Sequence, residues 1–188
     1  MNNLFHEIFL ALWFFVPAGV ANVTPVFAAH IPWLKDRNLP VDFGKKYRGK
    51  RIFGSHKTWR GLIVGVIFAT LVLQLQVYLV GNSEFLQEAT KQIGYLSLPV
   101  FVLGPLFGLG ALMGDSIESF FKRQRDIKEG DGWFPFDQTD YIIGGAIATM
   151  PFVQLSLVQY GLMIFLWLVI HIISTVIGYA LGLKDRPI

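Results

Sequence analysis

Between Gly114 and Tyr141 the chain reads GDSIESFFKRQRDIKEGDGWFPFDQTDY, a stretch that holds seven of the 13 acidic residues and four of the 16 Lys and Arg residues. If a helix runs on from Gly114 to about Gln124, Asp115, Ser119 and Lys122 fall at i, i+4 and i+7 and share a face, with Glu118 beside them and Arg123 and Arg125 on neighbouring faces. Gly130, Gly132 and Pro135 then break the helix, and Asp137 and Asp140 follow three apart. Capping of a new helix is one reading of those two aspartates. A second brings Asp115, Asp137 and Asp140 together where two antiparallel helices meet. Close carboxylates repel unless a cation sits among them, and an oxygen-only set suits Mg²⁺ or Ca²⁺. Lys122 and Arg123 would then face phosphate oxygens. Such an arrangement performs phosphoryl or nucleotidyl transfer. The alternative is a juxtamembrane loop whose charges form solvated ion pairs or snorkel to headgroups.

The elements that must position these groups are membrane helices. The 188 residues are 53% apolar and 15% charged, against roughly 25% charged in soluble domains. The apolar residues come in runs of the length a bilayer needs, about 20 per helix. The expected fold is an all-α integral membrane protein, one membrane-embedded domain over 1–188, with five spans: about 4–29 (interrupted at Pro17, Asn22 and Pro25), 61–80, 93–113, 141–158 and 161–182. The first span has no basic leader segment and reads as a retained helix. No cysteine is present, which excludes disulfides and thiolate metal sites. With five spans, the segments 30–60 and 114–140 and the C-terminal tail share one side and carry 15 of the 16 Lys and Arg residues, leaving only Lys91 opposite. That split places the N-terminus outside, and both long loops and the C-terminus in the cytoplasm. The site is expected at the cytoplasmic membrane boundary of a multi-pass protein of the cell membrane.

The other candidate segment is DFGKKYRGKRIFGSHKTWRG (Asp42 to Gly61), with eight basic residues counting His56, and glycines at 44, 49 and 54. A polybasic loop on anionic lipid accounts for it, at about 1 kcal/mol per charge. A phosphate-binding loop also does, since glycines let backbone amides approach phosphate. The order of a P-loop is missing. Asn22 reads as a polar group lining a cavity at membrane depth, or as an interhelical hydrogen-bond partner. The pairs Gly61/Gly65, Gly110/Gly114 and Gly178/Gly182 suit close helix packing, including a homodimer.

The motifs GDxxxSFxKR, IKxG and PxDQxD resemble the signature of the CTP-using CDP-alcohol synthases, and in particular the short five-span branch, the CDP-archaeol synthases. ANVTP (Ala21 to Pro25), PVDFG (Pro40 to Gly44) and HKTWRG (His56 to Gly61) are similar to further stretches of that branch, in the same order, so the resemblance covers about residues 15 to 145. It implies cytidylyl transfer from CTP to a lipid phosphate with Mg²⁺ and release of pyrophosphate. It further implies that Asp115, Asp137 and Asp140 hold metal. Ser119, Lys122 and Arg123 match the phosphate-contacting SxxKR, and Lys57, Thr58 and Arg60 match KTxRG. Lys128, in IKxG, and Asn22, in ANVTP, join the expected nucleotide-binding set. Membrane lipids are expected as surroundings, and nucleic acid is not a partner. Two departures stand out. Lys128-Glu129 and Trp133-Phe134-Pro135-Phe136 replace the lysine–aspartate and histidine–glycine–glycine of bacterial CDP-diacylglycerol synthases, which favours a diether lipid. The segment AAHIPWLKDRNL (Ala28 to Leu39) is longer and more charged than that branch's glycine-rich stretch. The competing classes are a non-catalytic scaffold for anionic lipid and a small lipid transporter. The latter would need polar residues at mid-span.

Overall fold

A computed structural model of the chain describes residues 3–180. Four helices are long and apolar enough to cross a membrane: α1 (Asn3–Ala28), α2 (Trp59–Gly81), α4 (Val100–Gln124) and α6 (Leu157–Ala180). The short helices α3 (Glu84–Thr90) and α5 (Phe136–Thr149) complete the helical set among the described residues, with a 3-10 turn at Tyr95–Ser97 between α3 and α4. A small antiparallel hairpin, β1 (Lys46–Tyr47) and β2 (Lys50–Arg51), lies in the basic loop. Its two turn residues, Arg48 and Gly49, both have positive φ (52° and 81°), the backbone that matches the twist of a two-residue hairpin.

The helices differ from the expected spans in four places. First, α1 is unbroken through Pro17 and Pro25, where the sequence suggested a break. Pro17 has no N–H for the Trp13 carbonyl, but Nε2 of buried Gln76 on α2 donates to that carbonyl at 2.6 Å. A neighbouring helix has supplied the missing donor, which is how proline is tolerated at membrane depth. Second, the third long helix begins at Val100 rather than 93, because Gly94 adopts a left-handed conformation (φ 64°) and Pro99 precedes the first turn. Third, α5 spans 136–149 rather than 141–158. Pro151 cannot donate to the carbonyl of Ile147, so the helix stops before it. Fourth, α6 starts at Leu157 rather than 161, with the Ser156 amide accepted by the Gln159 side chain at 2.8 Å. Gly182, Lys184 and Arg186 lie outside the described residues.

Helix α4 is the hub. Two glycine pairs four residues apart let other backbones approach it. On one side a Cβ at Gly104 or Gly108 would lie 2.6 or 2.7 Å from the Cα of Thr70 or Val66 on α2. On the other, a Cβ at Gly114 would lie 2.3 Å from the Asp140 carbonyl oxygen, and one at Gly144 would lie 2.2 Å from the Gly110 carbonyl oxygen. The small residues thus serve packing within one chain, with α4 against α5 as the most extensive contact in the fold. Between the helices an aromatic core closes, with Phe107 5.0 Å from Phe14 and 6.2 Å from Phe15, and Trp167 of α6 5.6 Å from Phe15.

Gly144→Ala should force α4 and α5 apart and lower stability by about 1–3 kcal/mol, the usual cost of overpacking. Gly161→Ala, whose Cβ meets nothing within 4 Å, should stay within about 0.5 kcal/mol of the parent. Thermal unfolding in detergent micelles compares the two.

Candidate active site

Because α4 continues as a helix to Gln124, Asp115, Glu118, Ser119 and Lys122 line one face of its last three turns. Ser116, Glu118, Ser119 and Lys122 are all buried there, although the segment is the most charged in the chain. The first two turns of α5 carry Asp137 and Asp140 against this face, since Gly114 lets the Asp140 backbone come into contact with α4. Asp115, Glu118 and Asp140 each offer a carboxylate oxygen, and these oxygens lie within 4.8 Å of one another. Two lysines flank the cluster. Lys57 Nζ donates to Asp115 at 2.6 Å. Lys122 Nζ donates to Asp137 at 2.8 Å and stands 3.6 Å from Glu118 Oε1. The second oxygen of Asp137 accepts the Trp133 amide at 2.7 Å, and Asp140 accepts the Tyr141 amide at 2.5 Å.

The residues fit a divalent cation. Glu118 Oε1 is buried without a hydrogen bond, and three oxygen donors at this spacing match the hard-ligand preference of Mg²⁺. Glu118 was not in the set drawn from the sequence. Its signal was its i+3 spacing from Asp115, which puts it on the face that turns toward α5. Asp137 stands beside the triad, shared between Lys122 and Trp133.

The remaining expected residues divide. Ser119 lies buried on the same α4 face, and Arg123 is half-buried with an unpartnered Nε. Thr58 caps α2 by accepting the Gly61 amide at 3.2 Å. Arg60 Nη1 donates to the carbonyls of Leu34 and Lys35 at 3.1 and 3.0 Å, so it ties down the segment before the hairpin. Lys128 is exposed on the loop after α4, and Asn22 is half-buried within continuous α1.

Lys57 reaches Asp115 because the basic loop is anchored at several points. The Val41 amide donates to the Lys57 carbonyl at 2.8 Å, and the Trp59 amide to the Leu39 carbonyl at 3.0 Å. Asp42 then gathers the hairpin. It accepts the amides of Gly44, Phe53 and Gly54 at 2.9, 3.0 and 3.2 Å and the Arg51 guanidinium at 2.8 Å. Burial alone would raise the Asp42 carboxyl, but Arg51 and the three amides outweigh it and hold it down, from 3.8 to about 2. Two bridges bind this loop to the end of α4. Lys50 Nζ donates to the Gln124 carbonyl at 2.8 Å and to Asp126 at 2.6 Å. Glu129 accepts the Ser55 amide at 3.1 Å and its hydroxyl at 2.5 Å, with His56 Nε2 3.5 Å away.

A family model described as CarS-like, CDP-archaeol synthase, matches residues 4–188. Curated proteins named CDP-archaeol synthase are similar along almost their whole length. The one from Pyrococcus abyssi is 35% identical over 97% of this chain and 99% of its own, that from Thermococcus onnurineus 33% over 94% and 95%, and that from Methanocaldococcus jannaschii 32% over 95% and 96%. A solved structure described as "Structural insight into an intramembrane enzyme for archaeal membrane lipids biosynthesis" superposes with a TM-score of 0.69 at 26% identity, over 88% of this chain and 92% of that one. The chain belongs to the CDP-archaeol synthase family: it is an enzyme, a cytidylyltransferase, and a multi-pass membrane protein.

Asp42→Asn cannot serve three amides and a guanidinium at once, and should cost about 1.5–3 kcal/mol, the range for hydrogen bonds to a charged group. The parent's Asp42 is more acidic folded than unfolded, so its contribution is complete above about pH 4 and disappears as pH falls toward 2. Limited proteolysis between Lys45 and Arg51 should be faster in the variant at neutral pH and should converge with the parent only in strong acid.

Proposed function

We propose that this chain transfers the cytidylyl group of CTP to a lipid phosphate, best an unsaturated archaeal-type diether glycerol phosphate, giving CDP-lipid and pyrophosphate. The observation that carries the reading is the carboxylate triad with a lysine at each side, two of whose members, Glu118 and Asp140, line a groove between α4 and α5. The groove has a volume of about 510 Å³, and Ile117, Phe121, Phe136, Ile143 and Ile147 make its walls apolar. Lipid tails can stay in the bilayer while the headgroup reaches Glu118 and Asp140. The walls offer the tails only apolar contact, where one methylene is worth about 0.8 kcal/mol, so tail length and saturation should be weakly discriminated.

In the reaction an oxygen of the lipid phosphate attacks the α-phosphorus of CTP in line, and the bond to the bridging oxygen of pyrophosphate breaks. The attacking oxygen is already anionic, so no strong base is needed. The barrier comes from bringing two anions together, and catalysis is positioning and charge neutralisation. Asp115, Glu118 and Asp140 would hold Mg²⁺, with Asp137 next to them. The bound ion would supply Lewis-acid stabilisation of the phosphoryl oxygens. Lys122 and Lys57, held at the cluster by Asp137 and Asp115, are ready to exchange a carboxylate for a phosphate oxygen. Ser119, Arg123 and the loop residues Thr58, Lys128 and Arg60 with Asn22 form the wider nucleotide-binding set, Thr58 and Arg60 through the loop they fix.

The proposed topology is one domain with five crossings in the cell membrane, N-terminus outside. As a helix α5 rises about 21 Å, short of the roughly 30 Å hydrocarbon core, and the turn and extended residues 150–156 would make up the rest of its crossing. This keeps both charged loops on one side, as the 15-to-1 split of basic residues requires.

Purified protein with labelled CTP, Mg²⁺ and a panel of lipid phosphates should yield CDP-lipid. Asp140→Asn, Asp115→Asn and Asp137→Asn should insert and fold yet lose at least a hundredfold in turnover, and chelation by EDTA should abolish it reversibly. Near-normal turnover of Asp140→Asn with saturating CTP and Mg²⁺ would remove the metal role. No CDP-lipid from any substrate would return the scaffold or transporter readings.

A further inference from the structure

The groove between α4 and α5 poses an electrostatic problem. Glu118 and Asp140 line it, carboxylates that offer a phosphate no partner of their own and draw one only through a bound cation. Lys57 and Lys122 are engaged by Asp115 and Asp137, and neither lines the groove. Of the residues that do, Arg125 is the single cation. It follows the last turn of α4, where its amide closes the helix on the carbonyls of Phe121 and Lys122, both at 3.1 Å. Its guanidinium carbon sits 4.8 Å over the Trp133 ring, and Trp133 lines the same groove. Trp133 is itself fixed: its ring lies 4.4 Å from that of Phe136, and its amide donates to Asp137. A guanidinium held at this cation–π distance and engaged in no ion pair has N–H groups to offer for the two-pronged contact that phosphate oxygens accept. Arg125 is exposed and forms no ion pair among the described residues. It also lies outside the SxxKR motif formed by Ser119, Lys122 and Arg123.

We infer that Arg125, held on Trp133, receives the phosphomonoester of the lipid substrate at the mouth of the groove and selects a phosphate-bearing lipid over its neutral counterpart. The inference rests on the cytidylyl-transfer reading and adds to it the residue that recognises the acceptor. The phosphate would meet Arg125 on its way along the groove, and the guanidinium would give it the cationic partner that the other lining residues lack.

Two measurements test it. In steady-state assays with lipid phosphate in mixed micelles, Arg125→Ala should raise KM for lipid phosphate at least tenfold and leave KM for CTP within twofold. Arg125→Lys, which keeps the charge and loses the stacked fork, should fall between, and Trp133→Leu should shift the lipid KM in the same direction while Trp133→Phe restores most of it. Without CTP, a dialkylglycerol phosphate should raise the unfolding temperature of the parent protein, its unphosphorylated dialkylglycerol should not, and Arg125→Ala should lose the difference. An unchanged lipid KM, or equal changes in both KM values, would overturn the assignment, as would a phosphate-dependent thermal shift that survives in Arg125→Ala. If Arg125→Ala is not recovered folded, the Lys variant decides by the same criteria. Should the parent make no CDP-lipid, the transfer reading falls, and the thermal comparison still decides whether Arg125 binds the phosphate.

Discussion

The structure depends on a backbone contact that only glycine permits. Gly110 and Gly114 on α4 meet Gly144 and the Asp140 carbonyl on α5, at distances where any Cβ would collide. That contact fixes how far Asp140 can stand from Asp115 and Glu118. Three carboxylates within 4.8 Å of one another repel, and nothing in their own chemistry holds them there. Helix packing does, helped by the two lysines. The carboxylate cluster is therefore a charge arrangement imposed by a helix interface about one turn away, the relation expected between a rigid scaffold and a preorganised electrostatic site.

The second layer of control comes from the loops. The hairpin segment carries Lys57, and it is held by Asp42 at its centre, by Lys50 on the end of α4, and by Ser55 on Glu129 of the loop that follows α4. These contacts join residues more than 70 positions apart. They tie two long polar loops, ordinarily the mobile parts of a protein, to each other at the end of α4. Arg60 does the same for the preceding segment through the carbonyls of Leu34 and Lys35.

Much of this was legible in the sequence. The apolar runs marked a membrane protein, the spacing of Asp115, Ser119 and Lys122 marked one helical face, and the motif order marked the family. What escaped was what depends on partners remote in sequence. Pro17 looked like a break because its rescuer, Gln76, lies 59 positions away on another helix. Thr58 and Arg60 entered the expected nucleotide-binding set through their motif; the cap and the tether they also form could not be read from it. Glu118 was visible but unassigned, since only the docking of α5 shows which side of α4 the cluster occupies. Span limits slipped where apolar composition hid a Gly or Pro that bounds a helix, at Gly94 and Pro99 before α4 and at Pro151 after α5.

The bond from Gln76 to the Trp13 carbonyl carries a consequence for how such chains diverge. A buried amide on a membrane helix is a burden unless its hydrogens find acceptors, and an unbonded carbonyl at membrane depth is a burden of the same kind. The bond gives the carbonyl freed by Pro17 a donor and gives the Gln76 Nε2 group an acceptor. Change to one alone leaves a polar group stranded in hydrocarbon, so substitutions at the two positions are epistatic: accepted together, resisted singly. Related sequences should divide into lineages that keep proline with a donor opposite it and lineages that have neither, with few in between.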